Sequence, residues 1–319
     1  MADILITGGA GFIGSHLAED LLNKGHKVFI YDNLSTGSYD NIRHLQKKEG
    51  FNFAKADILN EAALNFYIKR SDVVYHLAAA VGVKYILDNP LDSLQTNISG
   101  TENILKYADE HGAKVILAST SEVYGKGVEL PYSESDDCLI GSTQKTRWGY
   151  ASAKNLDEHL ALAYHKERNL DVVILRFFNT VGPRQTGQYG MVVPTFCEQA
   201  LNGDDLTVYG DGKQTRTFGH VKDIIRGMQK LADTEEAYGE VFNIGGRAET
   251  TINNLAELVI DKSDSDSNIK YIPYEEVYDE NFEDIEHRKP DLSKISEYIG
   301  YEPKYSLEDI VLDVLLDRR

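Results

Sequence analysis

Ile4-Leu5-Ile6-Thr7-Gly8-Gly9-Ala10-Gly11-Phe12-Ile13-Gly14 is the stretch on which the fold turns. An apolar run, Ile4–Thr7, enters a glycine turn with GxxGxxG spacing at Gly8, Gly11 and Gly14. Helical spacing follows over Ser15–Lys24, with Leu17, Leu21 and Leu22 along one stripe. Such glycines let a backbone turn tightly and approach a pyrophosphate, while the helix N-terminus offers unbonded N–H groups and a positive dipole end. Phe12 and Ile13 lie in the same first turn. The next strand, Val28–Tyr31, leads to Asp32, near the spacing of about 20 residues expected of a ribose-binding acid. A carboxylate there accepts hydrogen bonds from ribose 2′- and 3′-hydroxyls and repels a 2′-phosphate. The nearest downstream arginine is Arg43, so the pattern points to NAD over NADP. A glycine-rich turn that binds nothing would have to reproduce the strand–turn–helix context and Asp32 by coincidence.

Outward from this unit, short apolar runs alternate with helical segments. The helices are Asn60–Lys69, Gly100–His111 and Tyr150–His165; the strands are Val73–Leu77, Lys114–Ala118 and Val172–Phe177. Continuous β-branched runs separated by helices predict an α/β fold, a doubly wound parallel Rossmann sheet covered on both faces. After Phe178 glycines break the rhythm at 182, 187, 190, 203, 210 and 212, which predicts a smaller, loop-rich C-terminal lobe. The expected division is a dinucleotide-binding domain over 1–178, rejoined by 217–246 through the strand Val241–Ile244. The lobe then takes 179–216 and 247–319. The acidic run Glu275–Glu286 reads as solvated surface.

The 319 residues carry 33 Lys+Arg against 51 Asp+Glu, a net charge of −18. That balance argues against a nucleic-acid or anionic-membrane surface, since both need a basic face. An anionic substrate must be met by a few local cations. The two cysteines, Cys138 and Cys197, form no CxxC pair, and no histidine spacing suggests a metal ligand set. No apolar run approaches the roughly 18–20 residues of a membrane span. The first residues lack the basic stretch of a signal peptide, so a cytoplasmic location is expected.

Tyr150 and Lys154 stand at i and i+4, on one helix face. A tyrosine titrates near 10, so making it a base near neutrality takes about 3 units, or roughly 4 kcal/mol, in favour of phenolate. A neighbouring ammonium and a positive nicotinamide ring can supply that. Beside the glycine loop, the pair reads as a base for hydride chemistry. Ser119-Thr120-Ser121-Glu122 follows the strand Lys114–Ala118, where residues past strand C-termini face the ligand crevice.

These features, with Asp32-Asn33-Leu34-Ser35-Thr36-Gly37 and His76-Leu77-Ala78-Ala79, resemble the extended short-chain dehydrogenases/reductases. More narrowly they resemble the NAD-dependent nucleotide-sugar epimerase/dehydratase group. Arg176–Arg184, Thr207–Asp223, Asn243-Ile244-Gly245 and His287–Asp291 continue the resemblance. It implies a tightly held NAD contacted by the glycine loop, by Asp32, Asn33, Ser35, Thr36 and Gly37, by Asp57 and Ile58 at the adenine, and by Leu77, Ala78, Ala79 and Ser119. Asn97 is placed with this set as support for the active-site helix. Thr120 would bond the sugar C4 oxygen, Tyr150 would take its proton, and Lys154 would bind the nicotinamide ribose and lower the Tyr150 pKa. Asn179, Arg216 and Arg288 would surround the nucleotide diphosphate. The family also implies a homodimer through the helices Gly100–His111 and Tyr150–His165. His76 reads as packing beneath the loop.

Within the group, dehydratases resemble Thr-Asp-Glu, whereas Ser121 stands at the Asp position here and leaves no strong acid for a departing hydroxyl. UDP-glucuronate decarboxylases resemble Thr-Ser-Glu, which is Thr120-Ser121-Glu122. In them a 4-ketone turns the C6 carboxylate into a readily lost β-keto acid, and Glu122 would help return a proton to C5. Thr146–Tyr150 departs from their pattern, and Asn179–Arg184 is shared with 4-epimerases. The expectation is a UDP-glucuronate decarboxylase of the UDP-xylose-forming type, with a UDP-sugar 4-epimerase as the alternative. An NAD-binding regulatory protein is the remote third reading, disfavoured by the intact Tyr150/Lys154 pair.

Overall fold

Strand residues alternate between two apolar faces. In β1 (Asp3–Thr7), Ile4 and Ile6 pack to one side and Leu5 to the other, all buried. The computed structural model describes residues 1–127, 129–187, 191–276 and 287–319. Its centre is a parallel sheet of seven strands. With β1 it contains β2 (Lys27–Asp32), β3 (Phe51–Lys55), β4 (Val73–His76), β5 (Lys114–Thr120), β6 (Val172–Phe177) and, last, Glu240–Ile244. Their spatial order is β3-β2-β1-β4-β5-β6 and then Glu240–Ile244. Chain direction reverses its march across the sheet between β1 and β4, and a crevice opens at such a switch point. Ile6 pairs with Tyr75 and Thr7 with His76, so Gly8 emerges beside Leu77.

One face is covered by α1 (Phe12–Asn23), through Leu17 and Leu21, and by the helix Val221–Ala232, through Ile224 and Met228. The other is covered by Glu61–Ile68, Pro90–His111 and Arg147–Arg168, through Leu64, Ile104, Leu105 and Ala161. The two long helices begin earlier than periodicity suggests. Pro90 sits in the first turn of one, where a missing N–H costs nothing. Gly100 is therefore an interior residue: a Cβ there would lie 2.3 Å from Ile58 Cδ1, so glycine lets helix and loop close up. The second helix ends at Asn169 in the left-handed conformation, with His165, Lys166 and Arg168 at its negative dipole end.

The lobe has its own core, in which the helices Val192–Asn202, Ile252–Ser263 and Leu307–Arg318 bury Phe196, Cys197, Leu255, Val259, Ile310 and Val314. Their apolar stripes face a core assembled from segments far apart in the chain, so periodicity alone did not single them out. Beyond residue 247, Leu292, Ile295 and Tyr301 join the core of the sheet. The strand Phe51–Lys55 was missed altogether. It is a sheet edge with Asn52 and Lys55 exposed on opposite faces, and among the described residues it pairs with β2 alone. Of the acidic run, residues 277–286 lie outside the described residues.

Candidate active site

A cleft of about 1250 Å³ runs along the C-terminal ends of the strands and is closed on its far side by the lobe. That exceeds the roughly 300–1,000 Å³ of a site for one small ligand and suits two ligands side by side. Gly8, Gly11, Phe12, Ile13, Gly14, Asp32, Asn33, Ser35, Thr36, Gly37, Asp57, Ile58, Leu77, Ala78, Ala79 and Ser119 line one half. Thr120, Ser121, Glu122, Tyr150 and Lys154 stand at the middle, with Asn179, Arg216 and Arg288 on the lobe side.

Two positions show why the loop needs glycine. Gly8 has φ +69°, and a Cβ there would lie 2.7 Å from the Ala78 nitrogen. A Cβ on Gly14 would lie 2.4 Å from the Gly8 carbonyl oxygen. Helix α1 starts at Gly11 without a capping side chain, leaving first-turn N–H groups for an anion at the cleft wall. Asp32 is buried, and its carboxylate accepts hydrogen bonds from the Ala10 N–H at 2.9 Å and the Leu34 N–H at 2.8 Å. Burial raises its pKa, opposed by those two bonds. Asp57 accepts from Asn33 Nδ2 at 2.8 Å and from the Leu59 N–H at 2.9 Å. A dinucleotide would fit this wall with its diphosphate at the bare helix end, its ribose at Asp32 and its adenine between Asp57 and Ile58. Arg43 is exposed and paired with Asp40 at 2.7 Å.

Asn97 does not line the cleft. It is buried and clamps Ala80, accepting its N–H at 2.9 Å and donating to its carbonyl at 3.3 Å, so it shapes the loop after β4. Ser119 reaches the cleft, but its hydroxyl donates to Glu158, which Arg176 also holds at 2.7 Å. His76 lies between Thr7 Oγ1 at 2.8 Å and Thr101 Oγ1 at 3.2 Å. Burial drives its pKa down to about 3, so it is a neutral structural link.

Thr120 ends β5. Its Oγ1 accepts the Glu122 N–H at 3.2 Å and is hydrogen-bonded to Tyr150. Tyr150 is buried, and its pKa is raised, first by burial and then by the negative charges of Glu122 and Asp157. The Lys154 ammonium is engaged by Asp157 Oδ2 at 3.2 Å, and without a cofactor the chain's own groups favour the phenol.

Arg288 reaches the centre of the cleft. Its guanidinium meets Glu122 Oε1 at 3.1 Å, and Arg147 approaches the same oxygen at 3.5 Å. Glu122 is thus held between two arginines in the middle of the cleft. Arg288 pairs in register with Arg216 on neighbouring strands of the lobe. Arg216 donates to the Thr215 carbonyl at 2.8 Å and Asn179 to the Thr217 carbonyl at 3.0 Å. Sequence reasoning assigned Arg147 no role, although it lies three positions before Tyr150, one helical turn away on the same face.

A Rossmann sheet with a dinucleotide wall, a Thr/Tyr/Lys set at its centre and an arginine-bearing lobe defines the extended short-chain dehydrogenase class. Within it, the chain belongs to the family described as GDP-mannose 4,6 dehydratase, which it matches over residues 5–314. It is 45% identical over 305 residues to the UDP-N-acetyl-alpha-D-glucosaminuronate decarboxylase of Bacillus cytotoxicus, covering 95% of this chain and 94% of that protein. It is 38% identical over 315 residues to UDP-glucuronic acid decarboxylase 2 of Arabidopsis thaliana, covering 95% of this chain and 65% of that one. The UDP-glucuronic acid 4-epimerase of Bacillus cereus, solved with UDP-glucuronic acid and NAD, superposes with a TM-score of 0.89 at 32% identity over 99% of both chains. Among the described residues, no helix is long and apolar enough to cross a membrane.

Proposed function

We propose that this chain is an NAD-dependent decarboxylase of a UDP-linked hexuronate, acting through a 4-keto sugar. The observation that carries this reading is Glu122 held between Arg147 and Arg288, next to Ser121 where a dehydratase would need an acid. Bound NAD supplies the oxidant for C4, a positive charge beside Tyr150, and the return of the electrons at the end. Thr120 holds the C4 oxygen and Tyr150 accepts the proton of its hydroxyl. Once C4 is a ketone, the C5–C6 bonding pair moves into an enolate as carbon dioxide leaves. Glu122, oriented by the two arginines, then guides a proton from water to C5, and Tyr150 gives its own proton back to the C4 oxygen. The excess positive charge of that trio favours a substrate that brings a carboxylate, and Arg216 with Asn179 meets the diphosphate.

Two of the relatives reported above are uronate decarboxylases, which supports the reaction class. UDP-glucuronate and UDP-N-acetylglucosaminuronate are the substrates to test. Mass spectrometry of each incubation decides: loss of carbon dioxide is expected. Unchanged mass with inverted C4 would establish the 4-epimerase reading, for which the likeness to the Bacillus cereus structure speaks. Assembly as a homodimer through the helices Pro90–His111 and Arg147–Arg168, which leave Leu91 and Leu156 exposed, belongs to the same proposal. Sedimentation as a concentration-independent monomer would refute it.

A further inference from the structure

The helix Arg147–Arg168 carries a buried acid that the reaction does not use. Asp157 is only 1% exposed, three positions beyond Lys154, with Oδ2 at 3.2 Å from the ammonium nitrogen. Thr101, from the helix Pro90–His111, also hydrogen-bonds it. Thr101 in turn meets His76 of β4, which bonds Thr7 at the mouth of the glycine loop. A hydrogen-bonded line therefore runs from Lys154 through Asp157 to the base of the cofactor wall. The other charges on this face are committed elsewhere. Glu158 is neutralised by Arg176 with three contacts between 2.7 and 3.2 Å, and Glu122 by Arg147 and Arg288. His76 is neutral. An ammonium as buried as that of Lys154 needs a compensating charge, and Asp157 provides it.

We propose that Asp157 is a positioning residue, which anchors the Lys154 ammonium from behind and holds back the ionisation of Tyr150. The inference rests on Tyr150 being the base. Its logic is electrostatic. The positive charge of Lys154 favours phenolate, and the carboxylate behind it cancels much of that effect at the tyrosine. The chain's own side chains then favour the phenol, and it is the positive ring of the oxidised cofactor that tips Tyr150 toward phenolate.

Seven helix positions separate Tyr150 from Asp157, about 10 Å along the axis at 1.5 Å per residue. At that range one charge changes the ratio of phenolate to phenol about twofold even at the dielectric of water, and more in a protein interior. The test is direct observation of ionisation. Protein labelled with carbon-13 at the tyrosine ring carbon bearing oxygen is studied with NAD present, and the Tyr150 resonance is assigned by its loss in Tyr150→Phe. Asp157→Asn removes the charge and keeps an oxygen for Thr101 and Lys154. The phenolate-to-phenol ratio of Tyr150 at about pH 9.5 should at least double in the variant. A smaller rise, or a fall, overturns the proposal, and unchanged ionisation with a lowered melting temperature would mark Asp157 as structural only. If Asp157→Asn does not fold, Asp157→Ser is read by the same criterion. Since the signal reports protonation and not turnover, it succeeds or fails independently of the decarboxylase assignment.

Discussion

Replacing Glu122 by Gln tests the centre of the site from two sides. Its side chain is 13% exposed and faces guanidiniums that are 11% and 4% exposed, at 3.1 and 3.5 Å. Glutamine keeps the shape and removes the charge that holds Arg288 and Arg147 together. Breaking a buried ion pair by removing one partner costs about 3 kcal/mol. At roughly 2 °C per kcal/mol for a chain of this size, the melting temperature should fall by about 6 °C. Chemically the variant should still oxidise C4, because Thr120 and Tyr150 are untouched. It should lose about 100-fold or more in the later proton return to C5, the usual contribution of a positioned acid or base. In a single-turnover experiment the nicotinamide absorbance then rises at the normal rate and decays slowly, and carbon dioxide release precedes a lagging final product. A variant that melts like the parent would mean that the carboxylate does not hold the arginines. One that turns over at the full rate would remove Glu122 from the reaction.

Tyr150→Phe should leave NAD affinity, measured by calorimetry, within a few-fold of the parent and abolish the absorbance rise on adding substrate. Asp32→Ala should erase the preference for NAD over NADP in paired titrations, since the carboxylate that accepts ribose hydroxyls and repels a phosphate is gone. Burial raises the Asp32 pKa, so its acceptor is protonated at a higher pH than an ordinary aspartate; NAD affinity should therefore fall on acidification above the usual aspartate range and hold steady toward neutrality. Gly8→Ala forces a side chain into φ +69° and against the Ala78 nitrogen. It should cost about 2–4 kcal/mol in denaturant midpoints and prevent NAD binding.

What the amino-acid order settled unaided was local or periodic. A run such as Val172–Phe177 has to be a buried strand because every side chain is apolar or β-branched except Arg176, and that arginine is buried against Glu158. The glycine spacing and Asp32 are a local motif, and Tyr150/Lys154 are joined by one helical turn, so each was legible without knowing the rest of the chain. Edge strand Phe51–Lys55 escaped because only one neighbour and a partly wetted face stabilise it, which leaves little apolar signature. The lobe helices escaped because their apolar stripes serve a core shared among segments far apart in the chain.

Charge placement was decided by tertiary structure alone. Nothing in the spacing of residues 122, 147 and 288 announces that one carboxylate will lie between two guanidiniums, because three separate elements supply them. The contribution of the chain's own groups to the Tyr150 pKa is hidden from the sequence for the same reason. Sequence shows the lysine one turn away, but burial and the opposing carboxylates of Glu122 and Asp157 act through space and depend on how closely the helices and strands pack. Periodicity along a chain encodes which face turns inward; the field inside a site depends on distances between segments, and those exist only once the chain has folded.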